Sequence, residues 1–166
     1  AASLYASRIA AHGTKLLDTR KTTPLLRVLE KYAVRVGGGA NHRFSLSDGI
    51  LIKENGIRAA GGIAPAVAAA RSAAHHLLRV EVEAETLQDV EAAVAAGADA
   101  VLLDNMPPSM VREAVARFGG IVFLEASGGI HLGNVEEYAR TGVAAVAVGA
   151  ITHSAPALDI SFELST

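Results

Sequence analysis

Arg20 and Lys21, and again His42 and Arg43, set paired cations into two short clusters of a 166-residue chain that has only four lysines. The first cluster reads Asp18-Thr19-Arg20-Lys21-Thr22-Thr23-Pro24, and the second reads Gly37-Gly38-Gly39-Ala40-Asn41-His42-Arg43. Lys21 follows the apolar pair Leu16-Leu17, and Lys53 closes the apolar run Ile50-Leu51-Ile52. A cation at the end of a buried strand costs desolvation energy unless an anion visits it. The clusters therefore predict a pocket for a ligand with several negative charges.

Acids recur in matching positions. Glu83 closes the alternating run Glu81-Val82-Glu83, and Asp104 ends Val101-Leu102-Leu103. Carboxylates at buried strand ends can bind sugar hydroxyls, hold Mg²⁺ or stabilise a developing positive charge. The plainer alternative makes Glu81 and Glu83 an exposed edge, with Asp104 a helix cap before Pro107. Two small-residue turns follow later, Ser127-Gly128-Gly129 after Glu125-Ala126, and Gly149-Ala150 leading to Thr152-His153-Ser154. Such turns let a phosphate reach backbone N–H groups, and a helix after each would add a favourable dipole. Ordinary tight turns would read the same way. Lys53 carries a rival chemistry, since a strand-end lysine in a barrel can form a Schiff base. Gly37-Gly38-Gly39 is not a G-x-G-x-x-G fingerprint, and adjacent His75 and His76 diverge on a helix, which argues against a metal pair.

These residues need a frame that brings strand ends together. Apolar, strand-like runs recur at 15–19, 50–53, 78–83, 100–104, 121–126 and 145–149, with a possible seventh at 34–37. Helical stretches separate them: an opening helix at 1–11, then 25–33 after Thr23-Pro24, and one from Pro65 to His76. Further helices are expected at 87–96 after Thr86, at 110–118 after Pro107-Pro108, and at 131–140. Strand–helix alternation at this spacing predicts right-handed βαβ units and a parallel sheet. An open doubly wound sheet and a barrel share that pattern. Polar residues at the C-terminal end of nearly every strand favour the barrel, here α/β and incomplete, with six to seven strands and outer helices.

Composition removes several classes. The chain is 51% hydrophobic but 4% aromatic, so its core is aliphatic, and a net charge of -2 leaves no footprint for nucleic acid. Zero cysteines remove disulfides and thiolate chemistry and agree with a cytoplasmic protein. No apolar run approaches the ~20 residues of a membrane helix. The first residues lack methionine and read as the inside of a helix, so the chain is expected to be a fragment, all of it one catalytic barrel domain.

Taken together and in order, these stretches resemble the catalytic domain of the quinolinate phosphoribosyltransferases. The two cationic clusters carry the resemblance, with Glu30-Lys31-Tyr32-Ala33-Val34, Leu51-Ile52-Lys53 and Val80-Glu81-Val82-Glu83. Leu102-Leu103-Asp104-Asn105, Glu125-Ala126-Ser127-Gly128-Gly129 and Val148-Gly149-Ala150 complete it. The resemblance implies an incomplete α/β barrel working as a homodimer or a hexamer of dimers. Such enzymes join quinolinate to phosphoribosyl pyrophosphate, with Mg²⁺, and release pyrophosphate, CO₂ and nicotinate mononucleotide. Carried over, Arg20, His42 and Arg43 would clamp the ring carboxylates, while Lys21 and Lys53 face the anionic substrates. Glu83 and Asp104 would hold ribose hydroxyls, with Mg²⁺ near them. Ser127, Gly128, Gly129, Gly149 and Ala150 would cradle the 5′-phosphate, with His153 nearby. Leu25, where the family usually has glycine, and Glu54-Asn55-Gly56 depart from the pattern. The resemblance also implies an upstream domain, lacking here, that supplies a further arginine to a partner's site. Without it this chain alone is expected to be nearly inactive.

Overall fold

The apolar runs form strands, and those in the middle of the sheet have a neighbouring strand on each side. In the computed structural model, which describes residues 1–165, they are β1 (Lys15–Leu17), β2 (Ile50–Ile52), β3 (Val80–Ala84), β4 (Ala100–Asp104), β5 (Phe123–Ser127) and β6 (Ala145–Ala147). All pair in parallel in the order β1-β6-β5-β4-β3-β2. A doubly wound sheet would reverse direction at an internal switch point. This order instead runs once around a ring that stays open between β1 and β2, so the sheet is barrel-like and not closed. Among the described residues, a single bridge, Leu17↔Ala40, occupies the free side of β1.

The predicted seventh strand at 34–37 does not form. Val34–Val36 ends helix α2 (Arg27–Val36), whose buried face is Lys31 and Val34, three residues apart. Successive N–H groups of Gly37, Gly38 and Gly39 donate to Ala33, Arg35 and Val34 carbonyls and stop the helix. That stop needs φ 88° at Gly38, which glycine adopts without strain. Leu25 is less comfortable: it lies ahead of the helix instead of within it, fully exposed, at φ 68°. A leucine there costs about 1–2 kcal/mol relative to a glycine.

The remaining helices follow their expected places with shifted ends, except α3, where no helix was expected. They are α1 (Ala2–Ile9), continued by a 3₁₀ turn at Ala10–His12, α3 (Glu54–Ala60), α4 (Ile63–Ala73), α5 (Leu87–Ala95), α6 (Pro108–Phe118), α7 (Val135–Ala139) and α8 (Ala150–His153). Thr86 and Asp89 close a reciprocal capping box on α5. The departure Glu54-Asn55-Gly56 falls in the first turn of α3, not in a loop. Among the described residues no helix is long and apolar enough to cross a membrane.

Alternation sorts the strands into two faces. Val80, Val82, Val101, Leu103, Leu124, Ala126 and Val146 pack outward against the helices in the main core. Leu17, Ala145 and Ala147 form a smaller cluster on the other face. Glu81 and Glu83 alternate with the buried valines, so they line the inner face and are not an exposed edge. The small side chains of that inner face leave room for a cavity.

Candidate active site

Parallel strands deliver all their C-terminal ends to one rim, and every residue proposed from the sequence meets there. A cavity of about 570 Å³ is bordered by Arg20 and Lys21 after β1, Lys53 after β2, Glu83 on β3 and Asp104 on β4. Ser127, Gly128 and Gly129 at the end of β5, and Gly149, Ala150 and His153 after β6, complete the rim, with His42 and Arg43 arriving from the loop before β2. Thr19, Asn105 and Glu125, to which no role was given from sequence, also line it.

The two cationic clusters are locked to each other by a buried ion pair. Asp18 is fully buried, and its carboxylate receives Lys31 Nζ, Asn41 Nδ2 at 2.5 Å and the His42 N–H at 2.9 Å. Lys31 also donates to the His42 carbonyl at 3.0 Å. A residue of α2 therefore holds both Asp18 of the first cluster and His42 of the second. Thr152 Oγ1 donates to the Lys21 carbonyl at 2.7 Å, tying the first cluster to the turn after β6.

Cations dominate one side of the cavity. Burial and the adjacent Arg20 guanidinium push Arg43 below its ordinary pKa, although Glu81 and Asp48 pull the other way. Arg20 Nε is buried with no hydrogen-bond partner. Two crowded guanidiniums, one with an unused donor, make a seat for a planar anion. Lys53 ion-pairs with Glu83, and Asp104 accepts from Asn105 Nδ2 at 2.8 Å.

The glycine turns follow β5 and β6, next to the end of β1 that carries Arg20 and Lys21. A Cβ on Gly128 would come within 2.2 Å of Asn105 Oδ1 and 2.9 Å of the Asn105 nitrogen, so only glycine fits. The N–H groups of Gly128, Gly129 and Gly149 have no partner among the described residues. The expected helix dipole is weaker than the sequence suggested. After β5 the next helix starts only at Val135, because His131–Asn134 form a turn, and α8 is a single turn. Backbone N–H groups, not a long helix, are what this side offers an anion.

Beneath the rim, His42, Glu81 and Glu125 bring their polar atoms within 4.8 Å of one another. His42 Nδ1 accepts from the Arg43 N–H at 2.7 Å, which leaves its ring proton on Nε2, 3.1 Å from Glu81 and 3.7 Å from Glu125. A ring with both nitrogens so engaged is not set up as a metal ligand. Glu125 is 2% exposed, and burial first, then Glu81 and Asp18, raise its pKa well above the ordinary carboxyl range. The signal for it was present in Leu124-Glu125-Ala126, a charge inside an apolar strand, but sequence alone gave it no partner. Because the folded state holds this proton more tightly, its contribution to stability is lost as pH rises above the ordinary carboxyl range. Thermal melts across pH should therefore show Glu125→Gln gaining stability relative to the parent as pH rises; parallel pH curves would refute a protonated Glu125.

Residues 1–163 match the family model described as quinolinate phosphoribosyl transferase, C-terminal domain. The chain is 50% identical over 151 residues to a probable nicotinate-nucleotide pyrophosphorylase [carboxylating] of Bacillus subtilis, covering 91% of this chain and 52% of that protein. It is 43% identical over 168 residues to the nicotinate-nucleotide pyrophosphorylase [carboxylating] of Homo sapiens, covering 99% and 56%. The solved nicotinate-nucleotide pyrophosphorylase of Francisella tularensis superposes with a TM-score of 0.93 at 47% identity, over 96% of this chain and 57% of that one. The chain thus spans about half the length of the curated relatives it matches. With an open ring of six parallel strands and this match along nearly its whole length, the chain belongs to the quinolinate phosphoribosyl transferase family, in its C-terminal domain.

Proposed function

We propose that the polypeptide carrying this chain joins quinolinate to phosphoribosyl pyrophosphate and forms nicotinate mononucleotide, pyrophosphate and CO₂, a step of NAD biosynthesis. One observation carries the reading: Arg20, Lys21, Arg43 and Lys53 border a single cavity that also holds Glu83, Asp104 and the glycine turns. That is a cation-rich seat for a dianion and a polyphosphate, with carboxylates placed for a sugar between them.

In this reading Arg20 and Arg43 bind the ring carboxylates, which suit the planar fork of a guanidinium. Both nitrogens of His42 are engaged within the protein, so it holds Arg43 and the inner acids in place instead of gripping the ligand. Lys21 and Lys53 neutralise the pyrophosphate. The N–H groups of Gly128, Gly129 and Gly149 take the 5′-phosphate, with Ser127, Ala150 and His153 beside it. Glu83 and Asp104 bind ribose hydroxyls and stabilise positive charge at the anomeric carbon as pyrophosphate leaves. No protein nucleophile is required, since the pyridine nitrogen attacks, and catalysis is positioning plus charge stabilisation. Glu83 and Asp104 supply the oxygen donors that Mg²⁺ prefers, alongside substrate phosphates. Bound there, the ion would neutralise the departing pyrophosphate. A dimeric assembly belongs to the same reading, supported by the apolar Val28, Leu29, Tyr32 and Val36 that α2 exposes.

The Schiff-base alternative loses its support at Lys53, which is ion-paired with Glu83 and has a side chain 58% exposed. A nucleophilic lysine needs the opposite surroundings. The test is nicotinate mononucleotide formation from quinolinate and phosphoribosyl pyrophosphate by the full product of the gene. Binding without turnover would leave a phosphate-sugar binding module in its place. Arg43→Ala should weaken quinolinate by about 2–3 kcal/mol and phosphoribosyl pyrophosphate far less. Calorimetry returning equal losses for both ligands would sink the carboxylate assignment.

A further inference from the structure

We infer that Glu125 is the acid that protonates ring carbon 2 of quinolinate after its carboxylate leaves as CO₂, an inference that rests on the reaction proposed above. Forming the bond from ring nitrogen to the sugar expels pyrophosphate and leaves the nitrogen positive. The bond from carbon 2 to its carboxylate then breaks, CO₂ departs, and the electron pair stays on carbon 2 in the ring plane beside that nitrogen. A C–H bond must form there, and the proton has to come from somewhere inside a site filled by its substrates.

Glu125 has the position. It lies on the inner face of β5, opposite Leu102 on β4 and Ala145 on β6, one inward step below Ser127. Glu125 lines the cavity, yet it is only 2% exposed. Arg43 and Glu125 line the same cavity, and Glu81 acts on both, so a ligand whose carboxylate binds Arg43 occupies the cavity that this acid borders.

Its surroundings also favour the protonated form. Glu125 Oε1 has no hydrogen-bond partner, although it is buried. The nearest ring N–H, on His42, is directed at Glu81 at the shorter 3.1 Å. The groups facing Glu125 are Glu81 from β3, Asp18 from the end of β1, and His42 from the loop between α2 and β2. Two of these are acids. Burial first, and then these two acids, push its pKa well above the ordinary carboxyl range. A buried carboxyl with a raised pKa and an oxygen without a partner, on a residue that lines the cavity, is suited to donate a proton to a base bound there. Once it has delivered the proton, the remaining carboxylate regains one from water when product leaves.

Single-turnover assays on the full gene product test this, following pyrophosphate, CO₂ and both nucleotides. Glu125→Gln should lower the ratio of nicotinate mononucleotide to pyrophosphate by about 100-fold, the usual scale of a lost general acid, while quinolinate mononucleotide accumulates. An unchanged ratio, or an equal fall in both products, would overturn the inference. Should the glutamine variant lack a cooperative melt, Glu125→Asp decides. Drawing the acid back by one methylene lowers the same ratio, and an unaltered ratio overturns the proposal. If the unsubstituted protein releases no pyrophosphate from quinolinate and phosphoribosyl pyrophosphate, the parent reaction is what has failed, and the inference falls with it.

Discussion

Lys31→Met is expected to destabilise the domain by about 3–5 kcal/mol, the cost of leaving one member of a buried ion pair without its partner. Asp18 is completely buried, and Lys31 is 2% exposed, so water cannot replace the lost charge. Asn41 and the His42 N–H would still reach Asp18, but neither carries a positive charge. Denaturant titration measures the effect as a lower midpoint at an unchanged slope. A loss below about 1 kcal/mol would mean that the pair contributes little. Replacing both members, Asp18→Asn with Lys31→Met, should recover part of the loss because no unpaired charge then stays buried. The same variant links stability to function. Lys31 also holds the His42 carbonyl, so its removal should loosen Arg43 and weaken quinolinate binding in whatever fraction remains folded.

Asp104→Asn should reduce turnover by about 100- to 1000-fold while changing substrate affinity far less. Asp104 ends β4 on the inner face, beside Ser127 in register, and its carboxylate is braced by Asn105. The brace is itself constrained, since Asn105 takes φ 53° and its N–H donates to the Ser127 carbonyl at 2.9 Å. A rigidly held carboxylate at the place where a sugar carbon becomes cationic stabilises the transition state more than the ground state. Asparagine keeps the shape and removes the charge. Steady-state kinetics showing a raised KM with unchanged kcat would make Asp104 a binding group only.

The sequence by itself determined the strands and the chemistry of their ends. Apolar runs such as Ala100–Leu103 can only satisfy burial on both faces inside a parallel sheet, and polar residues closing six such runs must gather at one rim. Local rules also set the Thr86 cap and the glycine at 149, whose Cβ would meet His153 four residues on, whereas Gly128 is required by Asn105 from the preceding strand end. What only the tertiary structure decided involves partners far apart in the chain. Val34 reads equally well as strand or helix, and burial of Lys31 one turn earlier, against Asp18, holds it in α2 and leaves the ring open between β1 and β2. Alternation put Glu81 and Glu125 on some face but could not say which. Only the register across β3, β4 and β5 turns both inward, toward His42 from a loop 39 residues before Glu81. A carboxyl's proton affinity depends on the charges and the water around it, and those are set by packing. The sequence could therefore name Glu125 without assigning it a role, and the fold made it a buried acid facing the cavity.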